Sequence, residues 1–142
     1  MIVVDASVAI QTVLEEPDSA IAVAALRSQT WTAPDLILAE CANIIWKRHR
    51  MGDINDAEAA EAVHLIEALN MYTEPSRRLI ERAVAIAIRL HHPAYDCFYL
   101  AHAEQMKLRV LTADNKLIGK VRQAKLPIEM LNLHDFAKEA GL

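Results

Sequence analysis

Ile2-Val3-Val4-Asp5-Ala6-Ser7-Val8 is the stretch on which the fold turns. Three β-branched or aliphatic residues with no polar alternation read as a strand buried on both faces, as the strands of a parallel sheet are. Asp5 ends the strand, and Ser7 to Leu14 follows with Val8, Ile10 and Val13 at helical spacing until Pro17 stops it. The opening is therefore strand, acid, helix. The same alternation continues outward along the chain. Asp18 or Ser19 caps a helix through Leu26, Trp31 to Ala33 is a brief strand, and Pro34-Asp35 opens a longer helix toward Arg50 that Met51-Gly52-Asp53 breaks. Asn55 or Asp56 caps Ala57 to Leu69, and after Met71 to Thr73 Ser76 caps a helix to Leu90. Past Pro93 come a helix from Ala94 to Met106, a strand from Arg109 to Thr112, a helix from Asn115 to Gln123, a strand from Ile128 to Leu131 and a closing helix from His134. Short apolar strands separated by helices predict an α/β fold, with right-handed crossovers and a short-stranded, mostly parallel central sheet covered on both faces.

The chain has 142 residues, which fits a single domain over 1–142. Hydrophobic residues make up 54% and charged residues 24%, with mean hydropathy +0.12, so a sizeable core is expected rather than disorder. The three glycines, Gly52, Gly119 and Gly141, stand far apart, which excludes a Gly-rich phosphate loop or a dinucleotide fingerprint. A net charge of −4 excludes the overall basic footprint of a nucleic-acid coat protein, so a polyanion has to meet a local patch. Cys41 and Cys97 are too few and too far apart for a disulfide scaffold or a zinc ribbon. No export signal and no apolar run of about 20 residues is present, so a soluble, cytoplasmic protein with no membrane partner is expected.

Four carboxylates carry the chemical signal. Parallel sheets place ligands beyond the carboxyl ends of their strands, and both Asp5 and Asp114 close a strand. Asp114 also reads as an ordinary cap for the helix after it. Glu40 interrupts the apolar run Leu36-Ile37-Leu38-Ala39-Glu40-Cys41-Ala42, and at about 3.6 residues per turn Glu40, Asn43, Lys47 and Arg50 fall on one stripe of a helix. That stripe is either a solvated face or a ligand followed by phosphate-binding cations. Asp96 lies in the first turn of a helix, where the macrodipole alone would favour it. Taken together, the four suit a hard cation such as Mg²⁺ or Mn²⁺ and metal-assisted phosphodiester hydrolysis. The six histidines show no zinc spacing and read as surface or helix-end residues, while Lys116, Lys120, Arg122 and Lys125 form a second basic patch.

The strand-Asp-Ala-Ser-Val of Val3 to Val8, the Pro34-Asp35-Leu36 to Glu40 segment, Tyr95-Asp96 followed by Tyr99-Leu100-Ala101, and Leu111-Thr112-Ala113-Asp114-Asn115-Lys116-Leu117 together resemble the PIN-domain family. More narrowly, the chain resembles the VapC-type ribonuclease toxins of toxin–antitoxin pairs, from Ile2 to about Phe136 and with the motifs in family order. The resemblance implies a three-layer α/β/α sandwich and a metal-dependent endoribonuclease whose catalytic and metal-binding acids match Asp5, Glu40, Asp96 and Asp114. It also implies that Ser7, Thr112 and Asn115 support the acidic centre. By charge and placement on the helix stripe and the second basic patch, Asn43, Lys47, Arg50 and Lys116 are the candidates for contact with RNA, the alternative being ordinary solvated faces. A small antitoxin and a homodimer or higher oligomer are the partners the resemblance implies. His102 stands where similar sequences usually carry an apolar residue. The alternative from another class is a catalytically silent PIN-like module that keeps the acids for metal binding or assembly. A phosphatase of the haloacid-dehalogenase type expects a second Asp where this chain has Ser7, and a receiver domain expects paired acids after the first strand.

Overall fold

A computed structural model describes Met1–Leu142. The first strand, β1 (Ile2–Val4), is buried at all three positions and leads through Asp5 into α1 (Ala6–Ala9). The helix expected over 7–14 tightens into a 3₁₀ turn at Ile10–Thr12, where the Thr12 hydroxyl donates to the carbonyl of Ala9 at 2.7 Å. A hydroxyl that bonds the preceding turn competes with continuation of the helix. Next come α2 (Ser19–Ser28), β2 (Trp31–Pro34) and α3 (Ile37–Arg50). Pro34, expected to open the long helix, instead ends β2, where its missing N–H leaves no ladder bond unmade.

The chain then forms α4 (Asp56–Glu67), whose Asn55 cap and Glu58 side chain close a reciprocal capping box. The segment after it is a strand, β3 (Tyr72–Glu74), at the edge of the sheet. Ser76 does not cap the next helix: its N–H donates to the Asp35 carboxylate at 2.9 Å and its hydroxyl bonds the same oxygen, so α5 (Ile80–Leu90) starts four residues later. The remaining elements are α6 (Ala94–Met106), β4 (Val110–Leu111), α7 (Asn115–Gln123), β5 (Met130–Leu131) and α8 (Leu133–Ala140).

The sheet order is β3-β2-β1-β4-β5 and every pairing is parallel. Register sets Val3 beside both Thr32 and Val110, and Val4 beside Leu111. Helices cover both faces, giving the three-layer α/β/α arrangement. Cys97, Tyr99, Leu100, Ala101, His102 and Ala103 of α6 are all buried, because this helix lies between the sheet and α5. One continuous core runs from Ile2 to Phe136. His102 is part of it. The Thr32 hydroxyl donates its only proton to the carbonyl of Tyr72 at 2.8 Å, so the Nε2–H of His102, 2.9 Å away, donates to Thr32. Burial holds the His102 imidazole below its usual range and therefore neutral. The ring ties α6 to β2 and touches none of the four acids, so it is a core residue and not the surface group expected of the histidines.

Candidate active site

β1 and β4 lie side by side although the chain leaves β1 toward β2, on the other side, so their shared end is where the strand order reverses. Such a switch point leaves a crevice beyond the strand ends. Asp5 enters it from β1 and is 7% exposed. One carboxylate oxygen accepts from the Ser7 N–H at 2.5 Å and the other from the Thr112 hydroxyl at 2.6 Å. Thr112 in turn accepts from the Asp114 N–H at 3.0 Å, and the Ser7 hydroxyl oxygen accepts from the Ala113 N–H at 3.0 Å. The loop after β4 is thus stitched to the turn after β1, and Asp114 also caps α7 by accepting from the Leu117 N–H at 2.9 Å.

Glu40 comes from the first turn of α3 and accepts a hydrogen bond from the hydroxyl of Tyr99, a buried residue of α6. Asp96 comes from the first turn of α6. Asp5, Glu40, Asp96 and Asp114 line one cleft of about 270 Å³ together with Ser7, Asn43 and Lys47. Two larger hollows of about 610 Å³ lie elsewhere, against α4; one is lined by Glu15, Asp53, Glu58 and Glu61 beside Arg48, but neither brings three ligand atoms together as His92, Asp96 and Asp114 do.

The electrostatics of the cleft are those of acids held together against their interest. Burial is the main cause that pushes Glu40 up to about 7, the charges of Asp5 and Asp96 add to it, and the Tyr99 hydrogen bond opposes it. Burial likewise raises Asp5, against the bonds from Thr112 and Ser7. One oxygen each of Asp96 and Asp114 and a ring nitrogen of His92 lie within 4.8 Å of one another, close enough to share one cation. Hard carboxylate oxygens suit Mg²⁺ or Mn²⁺, and the donor set therefore fits such an ion.

Three residues of the sequence reading stand outside the cleft. The Arg50 guanidinium lies 5.0 Å from the Trp46 ring centroid, a cation–π contact one turn beyond Lys47. The Asn115 side-chain oxygen accepts from Asn132 at 3.2 Å and makes no bond to an acid. Lys116 is exposed and is not part of the lining. Conversely, the sequence pattern marks neither His92 nor Tyr99 as a site residue. His92 sits one helical turn before Asp96 with its Nε2 at 2.5 Å from an Asp96 oxygen, and its side chain is 10% exposed. The i, i+4 spacing to Asp96 was its only signal, and Pro93 between them concealed it. Lys120, a member of the second basic patch, places its ammonium 3.0 Å from His92 Nδ1. Cys41 and Cys97 are free, buried thiols, pushed up by burial to about 12 and about 11, so neither is a nucleophile.

Residues 2–122 match the PIN domain family. The chain belongs to that family. This PIN domain is 32% identical over 124 residues to "Ribonuclease VapC3" of Pyrobaculum aerophilum, spanning 84% of the chain and 93% of the relative, and is of the VapC type. The crystal structure of PAE2754, also from Pyrobaculum aerophilum, superposes with a TM-score of 0.72 over 99% of this chain and 95% of that one. At 18% identity that likeness speaks for the fold alone. No helix of this PIN domain is long and apolar enough to cross a membrane.

Proposed function

We propose that this PIN domain is a metal-dependent endoribonuclease, the toxin of a VapBC-type toxin–antitoxin pair, in which Asp5, Glu40, Asp96 and Asp114 are the catalytic, metal-holding acids. The observation that carries the reading is the convergence of these four carboxylates in one cleft at the sheet's switch point. The kinship with a ribonuclease adds RNA as the substrate, and the same kinship supports a small antitoxin partner, a homo-oligomer and a cytoplasmic setting. The continuous core from Ile2 to Phe136 supports one folding unit over 1–142.

The acids would hold Mg²⁺ or Mn²⁺, which when bound neutralises phosphoryl charge and makes a neighbouring water more acidic. The protein's own residues do the rest. Thr112 and Ser7 orient Asp5 through both its oxygens, so its carboxylate is placed before substrate arrives. Tyr99 donates to Oε2 of Glu40 and so fixes how that carboxylate is held at the cleft. Lys47 and Asn43, at the cleft wall, are placed to hold a phosphate by charge and hydrogen bond. Arg50 and Lys116 would follow the RNA backbone farther out.

The test is cleavage of a mixed cellular RNA pool by purified, antitoxin-free protein with Mn²⁺, Mg²⁺ or EDTA, beside Asp5→Asn and Asp96→Asn preparations. Discrete metal-dependent products that vanish in both variants are expected. Full cleavage by both variants would sink the site assignment. No cleavage by wild-type protein that binds metal would leave the silent module as the reading.

A further inference from the structure

His92 occupies an ambiguous place. It lies within ligand distance of the same point as Asp96 and Asp114, yet both of its ring nitrogens already face partners. An ammonium group can only donate, so Lys120 Nζ, 3.0 Å from Nδ1, fixes that nitrogen as an acceptor. The ring proton then resides on Nε2, 2.5 Å from Oδ2 of Asp96, to which it donates. A neutral ring with its proton on Nδ1 would turn an N–H toward the ammonium, so the Nε2–H tautomer is the one that satisfies both neighbours. The Lys120 ammonium is 3.5 Å from the carbonyl of His91 as well, which anchors α7 to the turn before α6.

We infer that His92, held in its Nε2–H tautomer by Lys120, is a positioning residue that orients the Asp96 carboxylate for the cation and is not itself a ligand. The inference rests on the metal reading of the cleft given above. Outer partners of this kind commonly set metal affinity by about 10-fold to 100-fold, because they fix the direction in which a ligand atom offers its lone pair. Here the bond occupies Oδ2 and leaves Oδ1 as the oxygen the ring does not engage. Lys120 contributes through the ring alone: it sits on the far nitrogen and changes what the near one offers.

Two readouts test it. In metal-free protein, ¹⁵N NMR of the histidine rings is expected to show His92 as the Nε2–H tautomer, with assignment by the signal lost in His92→Gln. A ring protonated on Nδ1 would overturn the hydrogen-bond chain. Calorimetric titration with Mn²⁺ then compares wild type, His92→Gln, His92→Ala and Lys120→Met, with melting in EDTA confirming that each variant is folded. Gln keeps an N–H for Asp96 but is a poor metal ligand, so it is expected to bind within about threefold of wild type while Ala loses at least about tenfold. An equal loss in Gln and Ala would make His92 a ligand, and wild-type affinity in Ala would leave it no role. Wild-type protein that takes up no Mn²⁺ would refute the metal reading itself and the role built on it, an outcome distinct from a failure of either variant.

Discussion

Replacing Glu40 by Gln is expected to stabilise the metal-free protein, and the gain is expected to depend on pH in a defined direction. Glu40 rises from its ordinary 4.5 to about 7 in the folded chain, with burial as the first cause. An acid raised in this way holds its proton more tightly folded than unfolded. Its presence therefore costs nothing below about pH 4.5, costs more as the pH climbs toward 7, and levels off above. At about 1.4 kcal/mol per pH unit the whole interval would be worth about 3 kcal/mol for a fully enclosed group. Glu40 is only partly enclosed, and solvent screening reduces this to about 1–2 kcal/mol. The gain in melting temperature is then about 3–6 °C at pH 8 for a chain of this size. Gln can still accept from Tyr99, so no hydrogen bond is sacrificed. The assay is thermal unfolding of wild type and Glu40→Gln in EDTA at pH 5 and pH 8. A variant that melts no higher than wild type at pH 8, or that keeps its full advantage at pH 5, would refute the reasoning. Excess Mn²⁺ is expected to close the gap by stabilising the wild type more than the variant.

Other perturbations follow from the same geometry. Thr112→Val keeps the volume of a fully buried side chain but removes the donor to Asp5 and the acceptor for the Asp114 N–H, at an expected cost of about 2–4 kcal/mol in urea unfolding. A loss below about 0.5 kcal/mol would show that the stitch between the two loops is dispensable. Lys107 ends α6 with φ +54 and is exposed, so Lys107→Gly is expected to raise stability by up to about 1 kcal/mol, and a lower melting temperature would count against relief of that conformation. Arg82 donates to Glu104 at 2.5 and 2.8 Å and holds Glu104 below its usual range. Because the folded value is depressed, that stability is present at neutral pH and is lost as pH falls through the folded value. The pair is largely solvated, so a double-mutant cycle is expected to find under about 1 kcal/mol at pH 7 and nothing at pH 2.

The parts of the fold that the sequence made legible are those governed by local chemistry. Ile2–Val4 has no polar residue with which to face water, and Asn55 with Glu58 forms a cap from residues three apart. The parts that were hidden depend on partners far along the chain. Ser76 reads as a cap until Asp35 is folded against it from 41 residues away, and β3 becomes a strand because β2 offers it an edge. In the cleft, the four acids announce themselves through position at strand ends and helix starts. The environment that tunes them does not: Tyr99 reaches Glu40 across 59 residues and Lys120 reaches His92 across 28. Asn115 shows the converse, an apt residue beside an acid whose amide is drawn away by Asn132.

The stitch between Asp5 and Thr112 closes a span of 107 residues. Asp5 and Asp114 come from opposite ends of the sheet's chain order, and β4, which carries Asp114 into place, pairs both with β1 and with β5 at Met130–Leu131. Pairings this distant form late, since a long loop has to close before its contacts repay the entropy. The acidic cleft is therefore a late product of folding: it has no existence in any fragment that stops short of β4, and it assembles as one event when the two halves of the sheet meet.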